Sequence, residues 1–165
     1  MKKLILSLVL SLLLLASTGC RLSGEQQNPD TAKTETPPPV WYGVYFTEPD
    51  SPEAGSYRGG PAERLVEAIQ AAKVSIDVAA YNFNLWAVRD ALRDANSLGV
   101  TVRLVTDSDS INEHELLDLL DEGIEVFVYR SDSLMHNKLF IVDRLDVLTV
   151  SMNPTVGGAY LDHNN

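Results

Sequence analysis

Residues 133–143 read SLMHNKLFIVD. Side chains on a strand alternate faces with a period of two. As a strand, this stretch sends His136 and Lys138 to one face and Asp143 to the other. An imidazole and an ammonium side by side on a buried sheet are costly unless something anionic meets them. The next apolar run, VLTVSM (147–152), follows after only Arg144-Leu145-Asp146. A connection that short makes a hairpin, so at least this pair is antiparallel. By the same parity Ser151 and Asn153 share one face of the second strand. Tight pairing then gathers an imidazole, an ammonium, a hydroxyl and an amide at one edge of the sheet. Lysine offers a fixed positive charge to phosphate oxygens, and Ser and Asn offer hydrogen bonds. A histidine beside them can attack phosphorus or move a proton.

Upstream, strands and helices alternate. VWYGVYFT (40–47) is rich in β-formers and reads as a strand, and EPDSPEAGSYRGG as a connection. Pro61 opens a helix lined by Leu65, Val66, Ile69 and Ala72. KVSIDVAAY follows, with Val74, Ile76, Val78 and Ala80 on one strand face. A helix over residues 85–97 carries Leu85, Val88, Leu92 and Ala95, and Gly99 sits just past its end. After the strand VTVRLVT, Ser110 and Glu113 have capping-box spacing before a helix lined by Leu116, Leu117 and Leu120 and closed by Gly123. IEVFVY is a further strand. The alternation implies an α/β fold, a mixed, mainly parallel sheet flanked by helices.

His136-Asn137-Lys138-Leu139-Phe140-Ile141-Val142-Asp143 fits the H-x-K-x-x-x-x-D motif of the phospholipase D superfamily. VYFTEPDS, AIQAAKVSIDVAAYNFN, ALRDA, GVTVRLVTDSD and GIEV resemble the body of a bacterial phospholipase D-like domain. The resemblance spans residues 41–165 and implies a phosphodiesterase that needs neither metal nor other cofactor. It implies His136 as nucleophile or general acid, Lys138 as phosphate clamp, and Ser151 and Asn153 as substrate-binding donors. Asp143, the last member of the catalytic motif, mostly supports local structure in that family.

Two positions depart from the pattern: Val150 stands where a glycine is common, and Pro154 where an aromatic is frequent. Relatives continue past a point equivalent to Asn165, so the domain reads as cut short at its C-terminal end. One such histidine cannot serve both sides of an in-line displacement. The resemblance therefore implies a second motif, from a missing C-terminal half or from a homodimer.

The first residues are those of an export signal, 1–19: Lys2 and Lys3, then Leu4–Leu15, then small residues. Ala16–Cys20 resembles the lipobox of bacterial lipoproteins, with Ser17 where leucine is usual. Cys20, the only cysteine, is then the lipidation site, and no internal disulfide can form. Residues 20–39 are polar and end in three prolines, a tether before the domain at 40–165. The expectation is a protein of the bacterial cell envelope, anchored to a membrane. The formal charge of −10 disfavours nucleic acid and leaves a phospholipid as the preferred substrate. The alternatives are a non-catalytic surface lipoprotein of the same fold or an endonuclease of the superfamily.

Other polar residues have structural readings. His114 belongs to a solvated helix face, and His163 fits no motif. Asp77 marks a hydrogen bond within a strand, and Asp107 and Asp109 belong to a polar loop. No metal-ligand cluster and no glycine-rich nucleotide loop is legible.

Overall fold

The computed structural model describes residues 41–165. The signal, Cys20, the tether and Val40 lie outside the described residues. Five strands form one sheet in the order β3-β2-β1-β4-β5. They are β1 (Ser75–Ala80), β2 (Thr101–Asp107), β3 (Glu125–Tyr129), β4 (Lys138–Val142) and β5 (Asp146–Thr149). The first three run parallel, β4 is antiparallel to β1, and β5 is antiparallel to β4. This is the mixed, mainly parallel sheet expected.

Among the described residues five α-helices accompany it: α1 (Pro52–Gly55), α2 (Gly60–Ala71), α3 (Trp86–Ser97), α4 (His114–Asp121) and α5 (Val156–Tyr160). The crossovers between parallel strands are α3 and α4, as a βαβ connection requires. Leu65 and Ile69 of α2 lie one turn apart, as do Val88 and Leu92 of α3, and all four are buried. They meet Ile76, Val78, Leu104 and Phe140 on one face of the sheet. Gly99 ends the α3 turn at φ 90°, a conformation open to glycine without strain. The opposite sheet face carries the Asp77–Arg103 pair, at 2.6 Å between adjacent strands. A cross-strand ion pair this exposed adds little to stability, because water and salt screen it.

Four local expectations are corrected. Residues 41–46 form no strand and are exposed, Trp41 to 89%; β-forming residues without a neighbouring strand have no ladder to join. The connection 48–60 contains the short helix α1, capped where the Ser51 hydroxyl accepts from the Ala54 N–H at 3.2 Å. Ser110 does not cap α4. Its hydroxyl donates to Asn82 at 2.7 Å, and Glu113 takes the N-cap position without a side-chain bond. The apolar stripe of α4 is Leu116 and Leu119, while Leu117 and Leu120 face outward.

Phe140 is fully buried at the centre of β4, opposite Val78 on one side and Leu148 on the other. Phe140→Ala removes a ring from a closely packed interior and leaves a cavity. The expected loss is about 3–5 kcal/mol, read from urea unfolding. A loss indistinguishable from that of a surface substitution would place the core elsewhere.

Candidate active site

Lys138 opens β4 opposite Ala80, the last residue of β1. It therefore sits at the carboxyl ends of the parallel strands, where open α/β sheets leave a crevice for ligands. Parity puts its side chain on the core face with Phe140 and Val142, and it is only 8% exposed. Its ammonium donates to the His136 carbonyl at 3.0 Å and lies 5.7 Å from the centre of the Tyr81 ring. Among the described residues no carboxylate lies within ion-pair distance of it. Burial without such a partner pulls its pKa below the usual lysine value. An ammonium has three donors, and one is used here.

His136 stands two residues before Lys138 but not on the same strand, because β4 begins only at Lys138. The expected shared strand face is corrected to a different arrangement. His136 is exposed and Lys138 buried, and both lie against Tyr81, whose ring centre is 5.1 Å from that of His136. The Tyr81 N–H donates to the Asn137 carbonyl at 3.0 Å, and the Tyr81 carbonyl accepts from the Thr106 hydroxyl at 3.3 Å. Sequence reasoning passed over Tyr81. The available signal was its place in AAYNFN, where polar residues follow directly on the carboxyl end of a parallel strand.

The rest of that loop ties the edge together. Asn82 accepts from Ser110. The Asn84 amide oxygen accepts from the Val156 N–H at 3.2 Å. The N–H groups of Asn84 and Leu85 donate to the Pro154 carbonyl at 3.1 and 3.0 Å.

Asp143 lies at the far end of β4, away from His136 and Lys138. Its carboxylate accepts from the N–H groups of Lys73 at 2.9 Å, Val74 at 2.7 Å and Ser75 at 3.0 Å. Its own N–H donates to the Ser75 carbonyl at 2.7 Å. Asp143 and Arg144 have φ of 55° and 59°, and the Leu145 N–H closes the turn onto Val142. Two consecutive positive φ values make the tight turn whose twist suits a hairpin. The backbone donors, Ser75 first, then Val74 and Lys73, hold the Asp143 carboxyl below its ordinary pKa.

Ser151 and Asn153 do not extend the second strand of the hairpin, since β5 ends at Thr149. The Ser151 hydroxyl is engaged with the Asn164 side chain at 3.0 Å and accepts from the Asn165 N–H at 2.9 Å. Hairpin pairing continues only as far as the Val150 N–H, which donates to the Lys138 carbonyl at 3.2 Å. The Asn153 amide oxygen is buried without a hydrogen-bond partner. An unmade bond at a buried acceptor costs free energy, so it marks a place open to a donor. His163 is exposed and lines a shallow cleft with Ser151 and Asn164, and His114 is exposed beside Asp118 at 3.7 Å. Among the described residues no three His, Cys, Asp or Glu side chains gather as metal ligands.

A family model described as cardiolipin synthase, PLD-like domain, matches residues 65–165, more than half of the chain. The mitochondrial cardiolipin hydrolase of Homo sapiens is 34% identical over 94 residues, which cover 56% of this chain and 37% of that protein. Phospholipase D of Rickettsia prowazekii (strain Madrid E) is 31% identical over 99 residues, 59% of this chain and 48% of that protein. Nuc from Salmonella typhimurium, a phospholipase D family member of known structure, superposes with a TM-score of 0.60 at 27% identity. That match covers 64% of this chain and 72% of Nuc. The chain thus spans less than half the length of these two sequence relatives.

The Asp143 clamp has a pH signature. Its folded pKa is depressed, so the stability it contributes is present above the unfolded carboxyl value, about 3.9. It is lost as pH falls through the lower folded value. Asp143→Asn is expected to melt several degrees below wild type at pH 7, because its NH2 group opposes backbone donors. The gap should narrow steadily once the pH drops below about 4. Thermal melts at pH 7 and pH 3 test this, and a gap unchanged between them would exclude the charge as the source.

Proposed function

The chain belongs to the phospholipase D superfamily, and we propose that its His136 edge cleaves phosphodiesters through a phosphohistidine, phospholipids ahead of nucleic acids. The observation that carries this reading is the buried Lys138 ammonium, without an acidic partner, beside an accessible histidine. A buried cation is costly alone and is stabilised when a phosphate oxygen meets it. An imidazole nitrogen of His136 then attacks phosphorus, a P–N bond forms, and the P–O bond to the leaving alcohol breaks on the opposite side. The leaving oxygen takes its proton from a second histidine, on a second motif or a second copy of the chain. That histidine next removes a proton from water, which attacks phosphorus and frees His136. Lys138 holds the phosphoryl oxygens throughout.

Three features support the lipid preference. The net charge of −10 opposes the polyanionic backbone of DNA. The relatives include proteins named cardiolipin hydrolase and phospholipase D. An export signal with an acylated Cys20 would hold the domain at a membrane surface by a short polar tether.

A second reading is a phosphate-binding surface protein without turnover. It is favoured by Val150, whose backbone packs directly on Lys138, and by the engagement of the Ser151 hydroxyl with Asn164 and Asn165.

The test is turnover of phosphatidylcholine vesicles, cardiolipin vesicles and single-stranded DNA, all in EDTA. Hydrolysis of lipid ahead of DNA, undiminished by the chelator, is expected. His136→Ala should lower kcat on the order of 10³-fold or more and Lys138→Ala about 10²–10³-fold. Acid-labile phosphate bound to the chain during turnover, absent from the His136→Ala protein, identifies the intermediate. Phosphate binding with no turnover of any substrate would select the second reading.

A further inference from the structure

We propose that Asp107 is a positioning residue that sets where His136 stands, an assignment that rests on the hydrolase reading above. Asp107 ends β2 and is 4% exposed. Its two carboxylate oxygens have separate duties. Oδ1 accepts from the Asp109 N–H at 3.0 Å and from the Ser108 hydroxyl at 3.5 Å, closing the turn that follows the strand. Oδ2 accepts from the Met135 N–H at 2.8 Å. A turn-closing aspartate needs only the first of these. The second joins residues 28 positions apart and crosses the end of β1, which lies between β2 and β4 in the sheet.

The backbone around His136 shows why this bond matters. From Ser131 to Leu134 the chain makes one hydrogen bond among the described residues, the local one from the Ser133 N–H to the Ser131 hydroxyl. Regular pairing resumes only at Lys138. His136 is therefore held on its N-terminal side by Asp107 at Met135, at its own carbonyl by the Lys138 ammonium, and on its C-terminal side by Tyr81 at Asn137. Only the Asp107 bond holds the residue before His136, so its loss leaves the N-terminal side free to hinge. In-line attack is sensitive to such freedom, and a displacement of about 1 Å can cost on the order of 10²-fold in rate. Asp107 makes no hydrogen bond or ion pair to the His136 or Lys138 side chain, so its link to His136 runs through the Met135 backbone. The bond to Met135 is also the leading reason its carboxyl is held below its ordinary pKa, which keeps it an acceptor across the neutral range.

The test compares the full chain as wild type, Asp107→Ala, Asp107→Asn and His136→Ala. Two measurements are made: steady-state hydrolysis of bis(4-nitrophenyl) phosphate, and amide hydrogen exchange. Asp107→Ala should lower kcat about 10–100-fold with KM within about twofold of wild type. The Met135 amide should lose protection while those of Leu104 and Phe140 keep theirs. Asp107→Asn, which retains one carbonyl acceptor, should recover part of the loss. Lost protection at Met135 with unchanged kcat would overturn the assignment. So would loss at Leu104 and Phe140 in both Asp107 variants, since Asp107 would then be a scaffold residue. A His136→Ala chain indistinguishable from wild type, at any level of turnover, overturns the hydrolase reading and this inference with it. An inactive His136→Ala chain beside a fully active Asp107→Ala chain overturns the positioning role alone.

Discussion

One carboxylate sets the register on which the site depends. Asp143 gathers the N–H groups of Lys73, Val74 and Ser75 and returns its own N–H to the Ser75 carbonyl. These four bonds lock the end of β4 to the start of β1. With that end held, five residues of antiparallel pairing bring Lys138 opposite Ala80. A slip of one residue would turn Lys138 out of the crevice and move Phe140 from the core to the other face. The turn conformation is part of the same device. Asp143 stands at φ 55° with its carboxylate on the start of β1, and aspartate tolerates that region better than most. The aspartate of the motif thus stands a whole strand away from its histidine and lysine, yet it governs where the lysine lies.

The other end of the sheet is arranged at a cost. Lys138 is buried beside an aromatic ring with a single carbonyl partner, and the Asn153 amide oxygen is buried with none. Each is a group that a core built for stability alone would avoid. The surrounding loops are held by side-chain to backbone bonds. Asn84 binds Val156, and Asp107 binds Met135. These join segments distant in sequence and let short, irregular stretches hold fixed positions. The free energy of the helices and the sheet thereby supports a polar, partly unsatisfied edge, as sites grafted on rigid scaffolds require.

The departures from the sequence reading share one cause. WYGVYF has strand composition, but strand formation needs a partner backbone, and composition does not supply one. Ser110 has capping spacing, but Asn82 competes for its hydroxyl from 28 residues away. Leu117 and Leu120 look equivalent to Leu116 and Leu119 along a short leucine-rich helix, and only its docking angle separates buried from exposed. A three-residue connection dictates the hairpin, but it does not dictate that β5 stops at Thr149 and leaves Ser151 to Asn164 and Asn165.

Local periodicity determined the alternation of β1, α3, β2, α4 and β3 and the antiparallel hairpin that follows. Those follow from bonds and side-chain alternation within a few residues of one another. The H-x-K-x-x-x-x-D spacing likewise determined the family, because it places an imidazole and an ammonium two residues apart at a strand entrance. Only the tertiary structure decided that His136 is exposed while Lys138 is buried, that Tyr81 lies against both, and that Asp107 reaches Met135 across the end of β1. These are contacts between residues tens of positions apart. They depend on the twist and register of a whole sheet, and a linear pattern does not encode a distance across it.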